Sequence, residues 1–387
     1  MTEHVYLDYA ASAPACEMAR AAERAYDEAP YAGANPNSLH TMGRLAARAL
    51  DAARADLAHA LGGRFRPSDI TFTSGGTESN NLALWGIAEG ARARDRKRTR
   101  VILSAIEHDS ILDVAPSLRD RGFEVSVAVA DRTGHITPRA VEALLDIDVA
   151  LVSVMAANNE TGIAQDIADI AHVAHNRGAY MHTDAVQAFG RIPLELDDID
   201  AVSIAAHKIG GPVGVGALAV RGRTPLRPQS FGGGQEQGKR AGTQDVRGAL
   251  AFAAAAQDCV MHLEERRALV AGRSQRLCEA LCGPDSRIRG TVDLPYGEDR
   301  LPGLVSLLVD GLDSETMVLK LDEAGFEVSA GSACSSGSLD PSHVLLAMGI
   351  PRNEAFGSLR VSFDERVGDD DLQRFAQALT QIVAQER

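Results

Sequence analysis

Short apolar runs alternate along the chain with longer stretches whose apolar positions recur at helical spacing. Seven runs read as strands: Ile70 to Thr73, Val101 to Ser104, Val125 to Ala130, Ala150 to Met155, Ala179 to Thr183, Ala201 to Ala205 and Gly216 to Val220. Between two of them, positions 164–176 carry Ile167, Ile170, Ala171 and Ala174 at helical spacing and are closed by Gly178, which predicts a covering crossover helix. This order predicts an α/β fold with a mostly parallel seven-stranded sheet, and the loops after its strands are where a site belongs.

From Asp245 to Leu281 the pattern becomes one long, alanine-rich amphipathic stretch, long enough to leave the sheet, and a domain boundary is expected near Glu265. The remainder reads as strand (Leu304 to Val309), helix (Ser314 to Ala324), loop (Ser329 to Asp340), helix (Pro341 to Met348), strand (Ser358 to Ser362) and terminal helix (Asp369 to Gln385). That is a smaller α+β unit. A chain of 387 residues also exceeds the size at which one core stops growing, so two domains sharing a cleft are expected.

Charge narrows the ligands. The formal net charge of −14 disfavours a phosphate-backbone footprint, and the basic stretch Arg92 to Arg100, interrupted by Asp95, reads as a solvated helix end. No direct nucleic-acid contact is expected. Met1 to Tyr9 lacks a cationic start followed by an apolar core, and no run approaches a membrane span, so neither a secretory leader nor a membrane partner is expected. Five scattered cysteines do not form a disulfide framework and point to a reducing cytoplasm. No Cys/His set has zinc-ligand spacing, so no metal is expected.

The candidate chemistry centres on Lys208, in Ala205-Ala206-His207-Lys208, and on Asp184, in His182-Thr183-Asp184-Ala185-Val186-Gln187, each at the end of a buried-looking strand. A lysine amine can form a Schiff base with the aldehyde of pyridoxal 5'-phosphate, while an aspartate pairs with its pyridinium nitrogen. Thr73 to Asn80, with Gly75, Gly76 and Thr77, follows a strand and opens a helix, an arrangement that suits an anionic phosphate or is simply a capped helix start. Glu107-His108 and Asn158-Asn159 also follow strands, where an imidazole could stack on a ring and amides could donate, or where they serve ordinary caps and turns. Gly210 to Gly216 predicts a tight loop back into the sheet. Gly232 to Thr243 is a second glycine-rich, partly basic loop, able to reach a phosphate or merely flexible. Cys334 lies among small residues in the 329–340 loop, where an exposed thiol invites a nucleophilic or sulfur-carrying role. Cys259, Cys278 and Cys282 have apolar neighbours at helical spacing and are assigned to packing.

These motifs together resemble the cysteine desulfurases of the class V aminotransferase family, fold type I pyridoxal phosphate enzymes, and within them the housekeeping iron-sulfur cluster sulfur donors. The similarity runs from Tyr6 to Ala11 and Asn35 to His40 through Gly76 to Asn81, Glu107-His108, Asn158 to Glu160, Asp184 to Gln187, His207-Lys208 and Arg240 to Thr243, to Cys334 and Ser358 to Arg360. It implies Lys208 as the Schiff-base lysine, Asp184 on the ring nitrogen, Gln187 near the ring hydroxyl and His108 on the ring face. It further implies Gly76, Thr77 and His207 on the phosphate, and Asn35, Asn159 and Arg360 on the substrate. Thr243 would reach the phosphate of a neighbouring subunit, which implies a homodimer.

In the implied reaction Lys208, with His108, moves the α-proton of bound L-cysteine, and the Cys334 thiolate takes the sulfur as a persulfide and releases alanine. A sulfur-acceptor protein follows, serving iron-sulfur cluster assembly or tRNA or DNA thio-modification. Selenocysteine lyase and a noncatalytic sulfur-relay scaffold are the alternatives. The expected division is 16–265 for the large cofactor domain and 1–15 with 266–387 for the small one. Three departures stand out. Ala205 replaces a common serine, a loss of about 1.5 to 3 kcal/mol for one hydrogen bond to a charged group. Gln235 to Gly238 lacks the usual arginine, and the chain stops at Arg387 without the longer tail that some relatives use for docking.

Overall fold

The computed structural model describes residues 4–297, 299–331 and 340–386. Seven strands form one sheet in the spatial order 70–73, 216–220, 201–205, 180–184, 149–153, 100–104, 124–128. Strand 216–220 runs antiparallel to both neighbours, and the other pairings are parallel. Six strands therefore end at the same edge: 70–73, 100–104, 124–128, 149–153, 180–184 and 201–205.

Side-chain alternation along these strands feeds two cores. Val101, Leu103, Leu151 and Leu218 pack with Leu82, Leu84 and Ile87 of the helix Gly76–Arg94 on one face. Ile102, Val152, Val202, Ala217 and Ala219 pack on the other, with the helices Thr41–Leu61, Ile167–Asn176 and Val246–Met261. Because both faces are covered, the strands can be apolar at every position.

A third core gathers Val5 and Leu7 with Val270, Leu307, Phe326, Leu359 and Phe375. It lies under a four-stranded sheet in which Leu304–Val309 pairs antiparallel with Ser358–Ser362 and with Ile288–Gly290, while Ser329–Ala330 adds to the far side of Ser358–Ser362. The first two residues of the expected 329–340 loop are thus a short strand.

The stretch expected to be one long helix is two, Val246–Met261 and Leu263–Leu281. His262 breaks it with φ −107° and ψ 12°. The first piece buries Ala249, Phe252, Ala253 and Ala256 in the sheet core, whereas the second turns Val270, Leu277 and Leu281 into the third core. No glycine or proline marks the break, since competing burial directions cause it. Among the described residues no helix is long and apolar enough to cross a membrane.

Candidate active site

The shared strand edge opens into a cavity of about 240 Å³. Gly76, Thr77, His108, Asn159, Asp184, Gln187, His207, Lys208 and Arg360 all line it, together with Ala205. Residues spread over 360 − 76 = 284 positions of sequence converge because each follows, ends or lies within a strand of one of the two sheets.

Asp184 closes strand 180–184 at one end. Its Oδ1 accepts the Val186 amide at 2.9 Å, and its Oδ2 accepts Asn80 Nδ2 at 2.7 Å. The same Asn80 nitrogen reaches Ser110 Oγ at 2.9 Å, and Ser110 Oγ reaches His108 Nδ1 at 2.9 Å. His108 Nδ1 also accepts the Ser110 amide at 3.0 Å, so in the neutral ring the proton sits on Nε2. Burial raises the Asp184 carboxyl above its ordinary range, and its two hydrogen bonds do not cancel that cost. A cationic ring nitrogen would.

Lys208 ends the short turn Ala206–Lys208 beyond strand 201–205. Its Nζ donates to Ala10 O at 2.6 Å and to Ala11 O at 2.8 Å. Those carbonyls are held in place from both sides: Ala10 N donates to Ser362 Oγ at 2.9 Å, and Ala13 N to His207 O at 2.9 Å. Gly210, at φ +79°, lets the chain reverse against Cys16, where a Cβ would meet Cys16 N at 3.0 Å. The glycine-rich 210–216 segment is the tight return expected of it, since strand 216–220 runs back beside 201–205.

The opposite end is the N-terminus of helix Gly76–Arg94, capped by Gly75 with no side-chain hydrogen bond. A Cβ at Gly76 would come within 2.8 Å of Val186 Cγ2, so the backbone approaches here as only glycine permits. Ala205 is 2 % exposed and puts a methyl where a hydroxyl could donate. Burial, then the neighbouring Lys208 charge, pushes His207 down to about 4, so it is neutral at physiological pH. Arg240 is engaged elsewhere, with its Nε 2.9 Å from Glu78 Oε1.

Arg360 is 2 % exposed. Its Nη1 donates to Asn159 O at 3.0 Å and its Nη2 to Asp8 Oδ1 at 2.9 Å, while Nε is buried with no partner. Asn158 builds the turn beside it, its Oδ1 accepting the amides of Glu160 and Thr161 at 2.9 Å, which leaves Asn159 to face the cavity.

Asn35 and Thr243 do not join this cavity. Both are exposed, Asn35 in the turn before helix Thr41–Leu61, where its Oδ1 accepts the Asn37 amide at 2.9 Å. Cys334 lies outside the described residues. Conversely, Asn80, Ser110 and the carbonyls of Ala10 and Ala11 belong to the site without having been singled out. Asn80 is legible in hindsight, one helical turn after Gly76; backbone carbonyls leave no side-chain signal. Glu107 is a further member in support: burial lifts its carboxyl to about 8, and its Oε1 accepts the Met155 amide at 2.8 Å, tying the His108 loop to the next strand.

The departure at Gln235 to Gly238 is also explained. Glu236, 4 % exposed, pairs with Arg54 at 2.7 and 2.8 Å and accepts the Phe72 amide at 2.9 Å, so this loop is anchored to the first strand by a buried ion pair.

The cavity fits pyridoxal phosphate on two observations. Gln187 Nε2 is committed to Ala10 O at 2.9 Å while its Oε1 is buried without a partner, an acceptor waiting for a ring hydroxyl. Asp184 is a buried carboxyl group with a lysine amine on the same cavity wall and, at the far end, a helix N-terminus without a side-chain cap.

Comparison with known proteins agrees. The aminotransferase class-V family model matches residues 5–375. An IscS-like cysteine desulfurase of Mycobacterium tuberculosis is 39 % identical over 388 residues, spanning 99 % of this chain and 97 % of that protein. The solved structure of a NifS-like protein superposes with a TM-score of 0.89 at 32 % identity, covering 98 % of this chain and 99 % of the other. A structure of SspA in complex with cysteine matches with a TM-score of 0.78 at 31 % identity, over 92 % of this chain and 98 % of its own.

Proposed function

The chain belongs to the class-V aminotransferase family, and we propose that within it the protein is a pyridoxal-phosphate-dependent cysteine desulfurase, converting L-cysteine to L-alanine and leaving the sulfur as a persulfide on Cys334. The observation that carries this reading is the convergence of the Lys208 amine, the buried Asp184 carboxylate and the partly unpaired Arg360 guanidinium on one cavity. When bound, pyridoxal phosphate supplies an aldehyde that condenses with amines and a ring that takes up an electron pair.

The chain's own residues do the rest. Asp184, fixed by Asn80 and the Val186 amide, would hold the ring nitrogen protonated, and Gln187 Oε1 would accept from the ring hydroxyl. Gly76, Thr77 and His207 would receive the phosphate. Arg360 grips the substrate carboxylate with Asn159 alongside, a role suited to a guanidinium fork. Lys208 Nζ, steered by the Ala10 and Ala11 carbonyls, takes the proton from the substrate α-carbon and later returns one, with His108 facing the same space. The Cys334 thiolate forms a sulfur-sulfur bond with the substrate as the carbon-sulfur bond breaks.

The same proposal includes a homodimer in which Thr243 serves the neighbouring subunit's phosphate, with Asn35 on the substrate side. It also includes the two-domain division near Glu265, supported by the separate third core, a cytoplasmic location, and an acceptor protein in iron-sulfur cluster assembly or thio-modification. The test is a single-turnover reaction of holoenzyme with L-cysteine and no reductant. One alanine per active subunit and one extra sulfur on the Cys334 peptide are expected, with neither product from Cys334→Ser. Wild-type alanine production by Cys334→Ser would overturn the persulfide role.

A further inference from the structure

Cys278 and Cys282 stand one turn apart at the end of helix Leu263–Leu281, with their Sγ atoms 3.8 Å apart. Both are half-buried, open enough for a small reagent. Their neighbourhood is unusual for cysteines assigned to packing. Arg300 beside them is 2 % exposed, with its guanidinium carbon 4.2 Å over the Tyr296 ring. Its Nη1 donates only to Val292 O at 3.1 Å, and its Nε and Nη2 have no hydrogen-bond partner. Among the described residues no carboxylate bonds to it.

A buried guanidinium without a carboxylate needs another counter-charge. The Arg300 charge acts on both thiols and lowers the pKa of each. Sharing of a proton with Cys282, and then the Arg300 charge, hold the Cys278 thiol down to about 6 against the effect of burial, while the Cys282 thiol is pushed up. The pair thus divides into a nucleophile and a resolving thiol. Cys259 offers the contrast: burial pushes its thiol up to about 12, and the Arg266 charge nearby offsets only part of that.

We propose that Cys278 and Cys282 form an oxidisable dithiol that reacts with hydroperoxides and closes to a disulfide within one helical turn, separately from the chemistry of Cys334. The Cys278 sulfur attacks the peroxide oxygen-oxygen bond, giving a sulfenic acid and releasing hydroxide or alkoxide. Cys282 gives its proton to that base and displaces the sulfenic hydroxyl, which leaves as water once protonated. Two thiols lose two electrons, and the hydroperoxide gains them. Closure needs a local shift of the chain at Cys282, whose amide donates to Cys278 O at 2.8 Å. Residues four apart in a helix keep their Cβ atoms about 5 to 6 Å apart, wider than a disulfide accepts. Cys282, however, is the C-cap residue, already outside helical geometry at φ −100° and ψ 107° and followed by Gly283 and Pro284.

The test uses the holoenzyme carrying Cys334→Ser, which removes the loop thiol. The protein is exposed to limiting hydrogen peroxide, alkylated and digested with trypsin, which leaves both cysteines in the single peptide Leu277 to Arg287. That peptide should lose two hydrogens and escape alkylation while Cys16 and Cys259 remain alkylated. Adding Cys282→Ser should instead leave a sulfenic acid on Cys278 that a cyclic 1,3-dione traps. Arg300→Met should slow Cys278 alkylation at neutral pH by about tenfold. If that buried substitution prevents folding, the Cys282→Ser trapping result decides alone. Oxidation of Cys16 or Cys259 ahead of a still-reduced Leu277 to Arg287 peptide would overturn the proposal, as would absence of the trapped adduct in folded Cys282→Ser protein.

Discussion

At the end of the cavity bounded by Asp184, each polar group leans on another: Val186 and Asn80 on the carboxylate, Asn80 on Ser110, Ser110 on His108. At the end bounded by Gly76 and Ala205, the wall is a methyl, a glycine, a neutral His207 and a helix N-terminus, and Arg240 is occupied by Glu78. One end is completed by this chain's side chains before any ligand arrives. The other relies on backbone amides. Damage at the first end should therefore appear in turnover, and changes at the second in cofactor retention.

Lys208 sits between the two ends, and its loss should have the largest consequence. Lys208→Ala is expected to reduce alanine formation by about 10³-fold, the scale of a lost proton-transfer group, while the fold stays intact by circular dichroism. Near-normal turnover would remove the lysine from the reaction. Next comes Glu236, which braces the loop behind the phosphate end. Glu236→Gln leaves Arg54 buried without its counter-charge and should cost about 3 to 5 kcal/mol in denaturant unfolding. Burial opposes the Glu236 anion, but the hydrogen bonds and charge of Arg54 outweigh it and keep the carboxyl below its ordinary value of 4.5. The stabilisation is therefore present above that pH and lost as acid takes the protein below it, and the variant should lose this part of the acid dependence.

Asn80→Ala tests the Asp184 end. With Asp184 Oδ2 and Ser110 Oγ both deprived of a donor, kcat should fall by about tenfold while bound cofactor, read from its absorbance, is retained. A fall in retention with unchanged kcat would reverse the assignment of the two ends. The smallest change is a gain: Ala205→Ser adds a hydroxyl at the sparse end and should slow cofactor loss on dialysis by about tenfold with kcat nearly constant. An unchanged rate would mean that backbone amides already satisfy the phosphate.

Legibility in the sequence followed the kind of group involved. Strands 70–73, 201–205 and 216–220 appear with the bounds their apolar runs predict, because burial on both faces writes itself into consecutive residues. Nine of the residues expected at the site meet in the cavity, since each lies just beyond, or within, a strand, and all but Gly76 carry a polar side chain. The kink at His262 was hidden because it arises from two cores pulling in different directions. Glu236 was hidden because its partner, Arg54, is 182 residues away in sequence. The Ala10 and Ala11 carbonyls that hold the Lys208 amine were invisible for a simpler reason: alanine announces nothing about its backbone oxygen.

The most direct measurement is reduction of the holoenzyme with borohydride, followed by tryptic peptide mapping. A pyridoxyl group should appear on Lys208, blocking cleavage there and yielding the uncut peptide Ile192 to Arg221. A group found on another lysine, or an unlabelled Lys208 in protein that has retained its cofactor, would contradict the account.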